Sequence, residues 1–368
     1  LTQSSSAVFI MSSPLTSFEL WAGLFGGLAL FLFGMDVMTQ ALKSAAGDYM
    51  KDILGKLTRN RVVGVGVGAF VTAVIQSSSV TTVILVGFIS AGLMSMSQSV
   101  AVIIGANIGT TITAQILAFK VTKLALPIIA VGFTLSFTAK KNSWKQYGNI
   151  ILGLGLVFYG MAVMSNALNP LRTYEPFVQF MISMQNPLLG AAVGALFTAV
   201  VQSSSATTGI LIVMASQGLI GLEPAIAIAL GANIGTCVTA GLASIGKPRE
   251  AVRAAVVHTL FNVAGVMLWI WFIPQLAEFA YWISPTHEGL TGAERLAADT
   301  PRQIANVHTF FNLANALIFI GFTTQIARIA EWLIPDRPIR VVRAMLPKYL
   351  DEALLSTPSI ALETVRME

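Results

Sequence analysis

Charged residues are scarce in this sequence, and one long stretch has none. Asp, Glu, Lys and Arg make up 11% of the 368 residues, whereas hydrophobic residues make up 55%. No charged residue and no His occurs between positions 62 and 119. A water-soluble domain needs a charged surface, so this composition, with a mean hydropathy of +0.75, excludes a soluble protein and predicts a polytopic membrane protein.

Cysteine and metal-ligand patterns are also scarce. Cys237 is the single cysteine, which excludes an internal disulfide, and the chain has neither a Cys-x-x-Cys pair nor a His-rich metal spacing. Redox chemistry, a transition-metal site and an organic cofactor therefore have no support. The net charge is +5, but the basic residues fall in short loops, which is typical of membrane topology and argues against nucleic-acid binding.

One short polar stretch occurs twice in this apolar sequence. QSSSVTT occupies residues 76–82, and QSSSATT occupies residues 202–208, which lie 126 positions later. An ungapped alignment of residues 60–114 with residues 186–240 contains 28 identities in 55 positions. Chance does not produce this match, so the chain contains a duplicated segment. An unsatisfied polar group in apolar surroundings costs several kcal/mol, so each polar stretch needs a partner, which we expect to be the substrate.

Each copy predicts a helical hairpin followed by a broken helix. The apolar runs on either side of QSSS are about 14 residues long, too short for a bilayer core of about 30 Å, which favours a re-entrant hairpin with QSSS at its tip. The next span contains GANIGTT at 105–111 in one copy and GANIGTC at 231–237 in the other. Glycines on both sides of an Asn are poor helix formers, so we expect a locally unwound, discontinuous helix.

The two copies are expected to be inserted with opposite orientation. The number of crossings between equivalent points is odd, and the loop at 43–61 carries five basic residues, whereas its equivalent at 169–186 carries only Arg172. The positive-inside rule then puts the N-terminus outside and the C-terminus in the cytoplasm. The predicted fold is an all-α polytopic protein of the inner (plasma) membrane, with two inverted-topology repeats that each contain a re-entrant hairpin and a discontinuous helix.

Five regions follow from these patterns. We expect a flexible N-terminus (1–17), a first transmembrane repeat (18–146), a second repeat (147–285), an outside loop with the last transmembrane helix (286–335), and the cytoplasmic start of a C-terminal region (336–368). Other spans are predicted at about 20–42, 98–119, 124–138, 254–282 and 302–334. Thr300, Pro301 and Gln303 predict a capping box at the start of the last span.

Two further polar features lie in predicted spans. Asp36 is the only acid in the apolar part of the first span, where it is either a functional carboxylate or a hydrated residue near the helix end. HTLFN at 258–262 and HTFFN at 308–312 form a second, smaller repeat. Buried His and Asn side chains that hydrogen-bond neighbouring helices explain it better than a proton relay, because such relays usually also involve an acid.

The repeated polar stretch suits an anion that arrives with cations. Hydroxyl groups and free backbone N–H groups at the start of a half-helix, together with the helix dipole, suit an oxyanion. Carbonyl, amide and hydroxyl oxygens of the GANIGT segments suit a hard cation such as sodium. No Lys or Arg is available in the two core segments, so a buried, multiply charged anion requires cotransported cations. Close helix packing is the alternative reason for the Gly, Ser and Thr residues.

The doubled QSSS, each copy followed by GANIGT, resembles the type II sodium-phosphate cotransporter family over about residues 20–335. In that family the QSSS tips of inverted repeats meet centrally and contribute to phosphate and sodium binding. The resemblance implies a substrate site formed by Gln76, Ser77, Ser78, Ser79, Gln202, Ser203, Ser204 and Ser205. It implies sodium-binding or supporting positions at Thr81, Thr82, Asn107, Thr110, Thr111, Thr207, Thr208, Asn233 and Thr236. Cys237 stands where the first copy has Thr111, so the two cation-side sites differ at this position.

The residues from about 346 onward are similar to the linker by which bacterial members of that family join a PhoU-like helical domain. This resemblance implies that the chain is the membrane part of a longer protein.

Together these features predict sodium-coupled phosphate symport by alternating access, with sodium as the coupling ion and the lipid bilayer as the surroundings. A sodium-coupled carboxylate carrier would use the same helix ends, and a phosphate-binding sensor or channel would use the same tips. An intramembrane serine hydrolase is excluded, because neither core segment supplies a His, Lys or Asp base, so no enzymatic activity is expected. The direction of transport and the formation of a homodimer are left open.

Overall fold

The described part of the chain is helical. A computed structural model describes residues 17–46, 60–119, 121–335 and 357–367, so residues 1–16 of the predicted flexible N-terminus and most of the basic loop at 43–61 lie outside the described residues. The α-helices within these ranges are α1 (Phe18–Ala46), α2 (Arg61–Ile75), α3 (Ser78–Ser90), α4 (Met96–Leu117), α5 (Ala125–Thr138), α6 (Asn142–Leu168), α7 (Glu175–Ser183), α8 (Pro187–Val201), α9 (Ser204–Ser216), α10 (Leu222–Ser244), α11 (Arg249–Trp269), α12 (Ile273–Ile283), α13 (Gly292–Phe319), α14 (Thr323–Leu333) and α15 (Pro358–Met367).

Six stretches of the described chain are long and apolar enough to cross a bilayer. They contain α1, α4, α6, α10, the α11–α12 pair and the α13–α14 pair. α5 has 14 residues, which is about 21 Å at 1.5 Å per residue, so the span predicted at 124–138 is shorter than a full crossing. The prediction of an all-α polytopic membrane protein is confirmed.

The helix boundaries repeat in the register of the sequence duplication. Adding 126 to the bounds of α2 and α3 gives the bounds of α8 and α9, and α4 starts at the equivalent of the first residue of α10. The longer helices α4 and α10 then pack against the first limb of their own hairpin, α2 and α8 respectively. Each half of the duplication therefore folds into the same three-helix unit.

Helices α1 and α6 extend the same repeat and pack on each other. In the register of 126, Gly27 corresponds to Gly153, and Gly34 corresponds to Gly160. A Cβ added at Gly27 would lie 2.8 Å from the carbonyl oxygen of Gly160, and one added at Gly34 would lie 2.7 Å from that of Gly153. The two helices therefore run antiparallel, with each glycine against the counterpart of the other. A two-fold relation between two such helices, as in repeats of opposite orientation, produces this reciprocal contact.

The small HTLFN and HTFFN repeat belongs to a longer structural repeat. α11 and α13 each end in one turn of 3-10 helix, at Ile270–Phe272 and Ile320–Phe322, before α12 and α14 begin. These breaks are 50 residues apart, like the two motifs. Asn262 Nδ2 donates to the His258 carbonyl at 2.9 Å, and Asn312 Nδ2 donates to the His308 carbonyl at 2.8 Å, so the local hydrogen bonds repeat as well.

The prediction of a broken helix at GANIGT is wrong. α4 and α10 are continuous through these segments. A Cβ added at Gly109 would lie 2.7 Å from the Thr72 Cβ, and one added at Gly235 would lie 2.6 Å from the Thr198 Cβ. A Cβ at Gly105 or Gly231 would meet a backbone carbonyl of α2 or α8. These glycines therefore allow two helices to pack backbone against backbone, which is the use of small residues that membrane helices favour.

The predicted capping box at Thr300 is also wrong. α13 begins at Gly292, so Pro301 lies inside the helix, and Thr300 is fully buried with a hydroxyl that lacks a partner among the described residues. The preceding residues are already helical and leave no helix start for Thr300 to cap. A capping box is found instead at α4, where Ser95 Oγ accepts from the Gln98 N–H at 3.2 Å and Gln98 Oε1 accepts from the Ser95 N–H at 2.8 Å.

The chain divides into two units, residues 1–334 and residues 335–368. The second unit contains α15, whose Leu362 and Val365 are exposed. The C-terminal region predicted to begin at 336 is described only from residue 357 onward.

Candidate functional site

The QSSS stretches form two helix reversals with the same backbone geometry. Gln76 ends α2 with φ 57° and ψ 23°, and Gln202 ends α8 with φ 57° and ψ 25°. Among the described residues, these are the two non-glycine residues with positive φ. The left-handed conformation costs free energy for a residue with a Cβ, and such strain is often kept at functional sites.

The first serine of each stretch caps the helix that follows. Ser77 Oγ accepts from the Val80 N–H at 3.3 Å, and Ser203 Oγ accepts from the Ala206 N–H at 3.1 Å. The next two serines of each stretch begin α3 and α9, where backbone N–H groups have no carbonyl partner inside the helix. Each tip therefore places the carbonyl end of one short helix beside the N–H end of the next, and the two helix dipoles give these ends opposite partial charges.

Threonine hydroxyls fix the two limbs of each hairpin to each other. Thr72 Oγ1 and Thr81 Oγ1 are 2.9 Å apart, and the equivalent Thr198 and Thr207 hydroxyls are 2.7 Å apart. Thr82 Oγ1 also donates to the Ser78 carbonyl at 2.8 Å. Thr81, Thr82, Thr207 and Thr208 are buried. The sequence analysis missed Thr72 and Thr198, although they are identical in the repeat alignment.

The predicted polar residues of GANIGT lie on one turn and a half of α4 and α10. Asn107 Nδ2 donates to the Ile103 carbonyl at 3.1 Å, and Thr111 Oγ1 donates to the Ile108 carbonyl at 2.8 Å. Thr110 and Thr236 donate to carbonyls four residues earlier, at 3.0 Å and 2.9 Å. These hydroxyls are therefore used within their own helices. Cys237 is buried, with its Sγ 3.6 Å from the Asn233 carbonyl.

The two half-sites differ in how the tip glutamine is held. Gln76 Nε2 donates to the Ala73 carbonyl, and Gln76 Oε1 accepts from the hydroxyl of Thr113 on α4. Gln202 is exposed instead, and Thr239, the equivalent of Thr113, has a buried hydroxyl without a partner among the described residues. The buried Nδ2 of Asn233 is also unpartnered, whereas that of Asn107 is satisfied. The second half-site thus has two buried polar groups without partners.

The second limb of each hairpin packs against the other half of the duplication. α3 of the first hairpin packs against α10, and α9 of the second hairpin packs against α4. The second limb of each hairpin therefore contacts the GANIGT helix of the other half as well as that of its own half. Each hairpin therefore packs against both copies of the GANIGT helix.

Formal charge is nearly absent from the elements that form the half-sites. Arg61 begins α2 and Glu223 lies in the first turn of α10, and no other charged residue occurs in α2–α4 or α8–α10. Arg61 is used elsewhere, since its Nη2 donates to Thr324 Oγ1 at 2.9 Å on α14. The tips are therefore polar through hydroxyls, amides and helix ends rather than through ionised side chains.

The other polar residues of the sequence analysis lie apart from the tips. Asp36 is exposed on α1 and accepts from Gln40 Nε2 at 2.6 Å. His258 and His308 are buried, and both ring nitrogens of His258 lack a partner among the described residues. Within the same residues, no group of three or more His, Cys, Asp or Glu side chains could hold a metal ion.

Comparison with known proteins agrees with this architecture. The Na+/Pi-cotransporter family matches residues 30–166 and 175–283. An uncharacterized Bacillus subtilis protein, YqeW, is 32% identical over 259 residues, which cover 70% of this chain and 84% of YqeW. The putative inorganic phosphate export protein YjbB of Escherichia coli is 26% identical over 69% of this chain and 47% of YjbB. The sodium-dependent phosphate transport protein 2A of sheep is 25% identical over 66% of this chain and 59% of that protein.

No solved structure matches the chain. The match covers 47% of YjbB and 59% of the sheep transport protein 2A, so these two relatives carry sequence beyond the matched region. The family match covers more than half of the chain, and the duplicated QSSS tips and six apolar spans fall within or beside it. The chain therefore belongs to the Na+/Pi-cotransporter family, a family of transporters rather than enzymes.

Proposed function

We propose that this chain is a secondary active transporter that moves inorganic phosphate together with sodium by alternating access. The observation that carries the proposal is the pair of uncharged polar tips with equal backbone geometry, one in each repeat. Relatives named for sodium-dependent phosphate transport and for phosphate export support phosphate as the substrate.

Phosphate would bind where α3 and α9 begin. The Ser78 and Ser204 side chains are 5% and 7% exposed, so an anion there would be largely withdrawn from water. The free N–H groups of the first helical turn, the serine hydroxyls and the positive end of the helix dipole are donors that an oxyanion needs. Ser79, Ser205 and the two glutamine amides complete the proposed set of donors.

Sodium would bind on the other side of each tip, at the C-terminal ends of α2 and α8. The last carbonyl groups of α2 and α8 lack the next helical turn that would use them, and they carry the negative end of the helix dipole. Further oxygens are the Gln76 amide oxygen at the first tip, the Thr113 hydroxyl on α4, and the Asn233 amide and Thr239 hydroxyl oxygens on α10. Because α4 and α10 are continuous, these side chains and the tip carbonyls, rather than an unwound GANIGT backbone, are the proposed oxygen ligands.

Coupling of phosphate transport to sodium follows from the scarcity of charged side chains around the tips. A phosphate dianion without a cationic side chain would pay a large desolvation penalty in the interior, and sodium ions bound beside it would offset much of that penalty. We propose the inner (plasma) membrane as the location, with the N-terminus outside and the C-terminus in the cytoplasm. The antiparallel contact of α1 with α6 supports this inverted arrangement of the repeats.

The decisive experiment is phosphate flux in proteoliposomes that contain the purified chain. We expect labelled phosphate to accumulate against its gradient when sodium is supplied on one side and to remain at equilibrium when potassium replaces sodium. Reversing the sodium gradient should reverse net flux. Because YjbB is named as an export protein, both directions should be measured with vesicles of known orientation.

Competing solutes separate the alternatives. Inhibition of uptake by arsenate but not by succinate supports phosphate, whereas the reverse pattern would establish a carboxylate carrier. Phosphate binding without sodium-driven accumulation would indicate a sensor or a channel. As a matched control, Gln98→Ala changes an amide at the start of α4 and should leave transport intact, whereas Gln76→Ala and Gln202→Ala should lower it.

A further inference from the structure

One face of the second hairpin is buried, whereas the same face of the first hairpin is exposed. Ala206, Gly209 and Val213 form one stripe of α9, and all three are buried. Their counterparts on α3 are Val80, which is 37% exposed, Val83, which is 53% exposed, and the exposed Gly87. The hairpins have the same length and the same tip residues, so the difference in exposure does not come from the tips.

Phe31 of α1 contacts Gly209 in the middle of this stripe on α9. A Cβ added at Gly209 would lie 2.6 Å from Phe31 Cζ and 3.0 Å from Phe31 Cε2, so the edge of the ring rests on the glycine. Phe31 is fully buried. In the repeat, Val83 is the counterpart of Gly209 and Val157 is the counterpart of Phe31. More than half of Val83 remains exposed, so no similar cover forms on α3.

A second contact joins α9 to the α1–α6 pair. Gln217, just after α9, donates from Nε2 to Ser165 Oγ on α6. The counterpart of Gln217 is Ala91, which has no polar side chain, so the first hairpin cannot make this bond. The aromatic contact and the hydrogen bond therefore both hold the second hairpin against the pair.

We propose that Phe31 is the positioning residue of the second half-site, and that its ring, seated on Gly209, sets where the Ser203–Ser205 tip lies. This inference rests on the proposed function. Gly209 follows Ser204 by five residues, or about 7.5 Å along a rigid helix, so a shift of α9 at Gly209 is transmitted directly to the tip. The first hairpin has no such seat on α3 and contacts the α1–α6 pair through α2 on α1 instead.

A size exchange tests this contact, using the chain's own repeat as the guide. Gly209→Val places the residue of position 83 beneath Phe31, and Phe31→Val places the residue of position 157 above Gly209. We expect Gly209→Val to lower the melting temperature by roughly 5 °C and to raise the phosphate KM about tenfold, because the added methyl groups meet the ring. In the double variant Phe31→Val/Gly209→Val, we expect at least about half of the lost melting temperature and half of the increase in phosphate KM to be recovered.

The single Phe31→Val variant separates positioning from mere packing. We expect it to raise the phosphate KM by about fivefold with a smaller change in kcat, since the tip is displaced while the rest of the transporter is unaltered. Its counterpart Val157→Ala should lower the melting temperature without changing KM. A loss of stability with an unchanged KM in Phe31→Val, or a double variant that is no better than Gly209→Val, would overturn the proposal.

The melting-temperature cycle needs neither phosphate nor sodium. If the wild-type chain does not transport phosphate, the proposed function fails, yet coupling between positions 31 and 209 can still be read from the four melting temperatures. If transport is present and these positions are not coupled, only the positioning role of Phe31 fails.

Discussion

The two hairpins have matching helix bounds and matching tip geometry, yet they occupy different surroundings. Their tip glutamines share φ 57°, and their first serines cap the following helix in the same way. Gln76 is tied to Thr113, whereas Gln202 is exposed and Thr239 is unpartnered. The backbone of a tip is set by bonds within a few residues, while the state of its side chains depends on helices far away in sequence.

This difference has a functional meaning under the alternating access that we propose. In that mechanism equal tips need unequal surroundings, because a symmetric pair would open to both sides at once. Within the described residues, the Gln76 amide and Asn107 Nδ2 of the first half-site are hydrogen-bonded inside the protein, whereas Asn233 Nδ2 and the Thr239 hydroxyl of the second are without partners.

The largest expected effect is a loss of stability at the glycines that let α4 pack on α2 and α10 pack on α8. Gly105→Ala and Gly231→Ala each direct a Cβ at a backbone carbonyl, of Val65 and Ala191 respectively, so each should lower the melting temperature by about 10 °C. Differential scanning fluorimetry of the purified chain measures this. Gly241→Ala on α10 is the control, because nothing lies within 4 Å of an added Cβ there. Equal stability of Gly231→Ala and Gly241→Ala would contradict the close packing.

Replacing the tip glutamines by glycine should separate stability from transport. Glycine adopts positive φ without strain, so Gln202→Gly should raise the melting temperature by about 2 °C. Gln76→Gly should gain less, because Thr113 loses its acceptor. Both variants should lower phosphate kcat/KM by about tenfold or more, if the amides bind substrate as proposed. Full transport by either variant would remove that glutamine from the site.

Removing one threonine hydroxyl from each half tests whether the two half-sites are held by the same hydrogen bonds. Thr113→Val leaves the Gln76 amide oxygen without its donor and should cost about 1 kcal/mol of stability. Thr239→Val removes an unpartnered hydroxyl and should leave the stability of the ligand-free protein unchanged or slightly higher. Chemical unfolding in detergent without phosphate or sodium measures both. Equal losses would mean that the two half-sites are held alike.

The smallest effect is expected at Asp36. This side chain is exposed on α1 and bonds to Gln40, and its repeat counterpart is Ala162. Asp36→Ala copies the counterpart, removes an exposed carboxylate and should change phosphate KM by less than about twofold. A large increase in the sodium concentration needed for half-maximal uptake would instead make Asp36 part of the cation pathway.

Much of the fold could be predicted because its signals are local or repeated. The short apolar runs around QSSS predict the approximate lengths of α2, α3, α8 and α9. The repeat register of 126 identifies equivalent residues in the two halves. GANIGT was misread because helix propensities describe a helix in water, where glycine is exposed. In a close helix pair, Gly109 and Gly235 instead lie against Thr72 and Thr198, and this contact keeps the helix intact.

The candidate site could be predicted only in part. The tip serines and glutamines stand out as a polar stretch in apolar sequence, but Thr72, Thr113, Thr198 and Thr239 do not, since single threonines are common in membrane helices. Their identity in the repeat alignment was a usable signal. The partner of each hydroxyl was not predictable, because it depends on how two helices are rotated against each other.

The sequence by itself determined the membrane class, the duplication, the lack of charge around the tips and the conformation of each Gln–Ser reversal, because these depend on composition and on contacts within about four residues. Only the tertiary structure decided that the second hairpin is covered by Phe31 and the first is not, and that Gln76 rather than Gln202 is held. The physical reason is that similar local sequences meet unequal neighbours: a ring lies over Gly209 in one half, whereas its counterpart Val83 is exposed in the other.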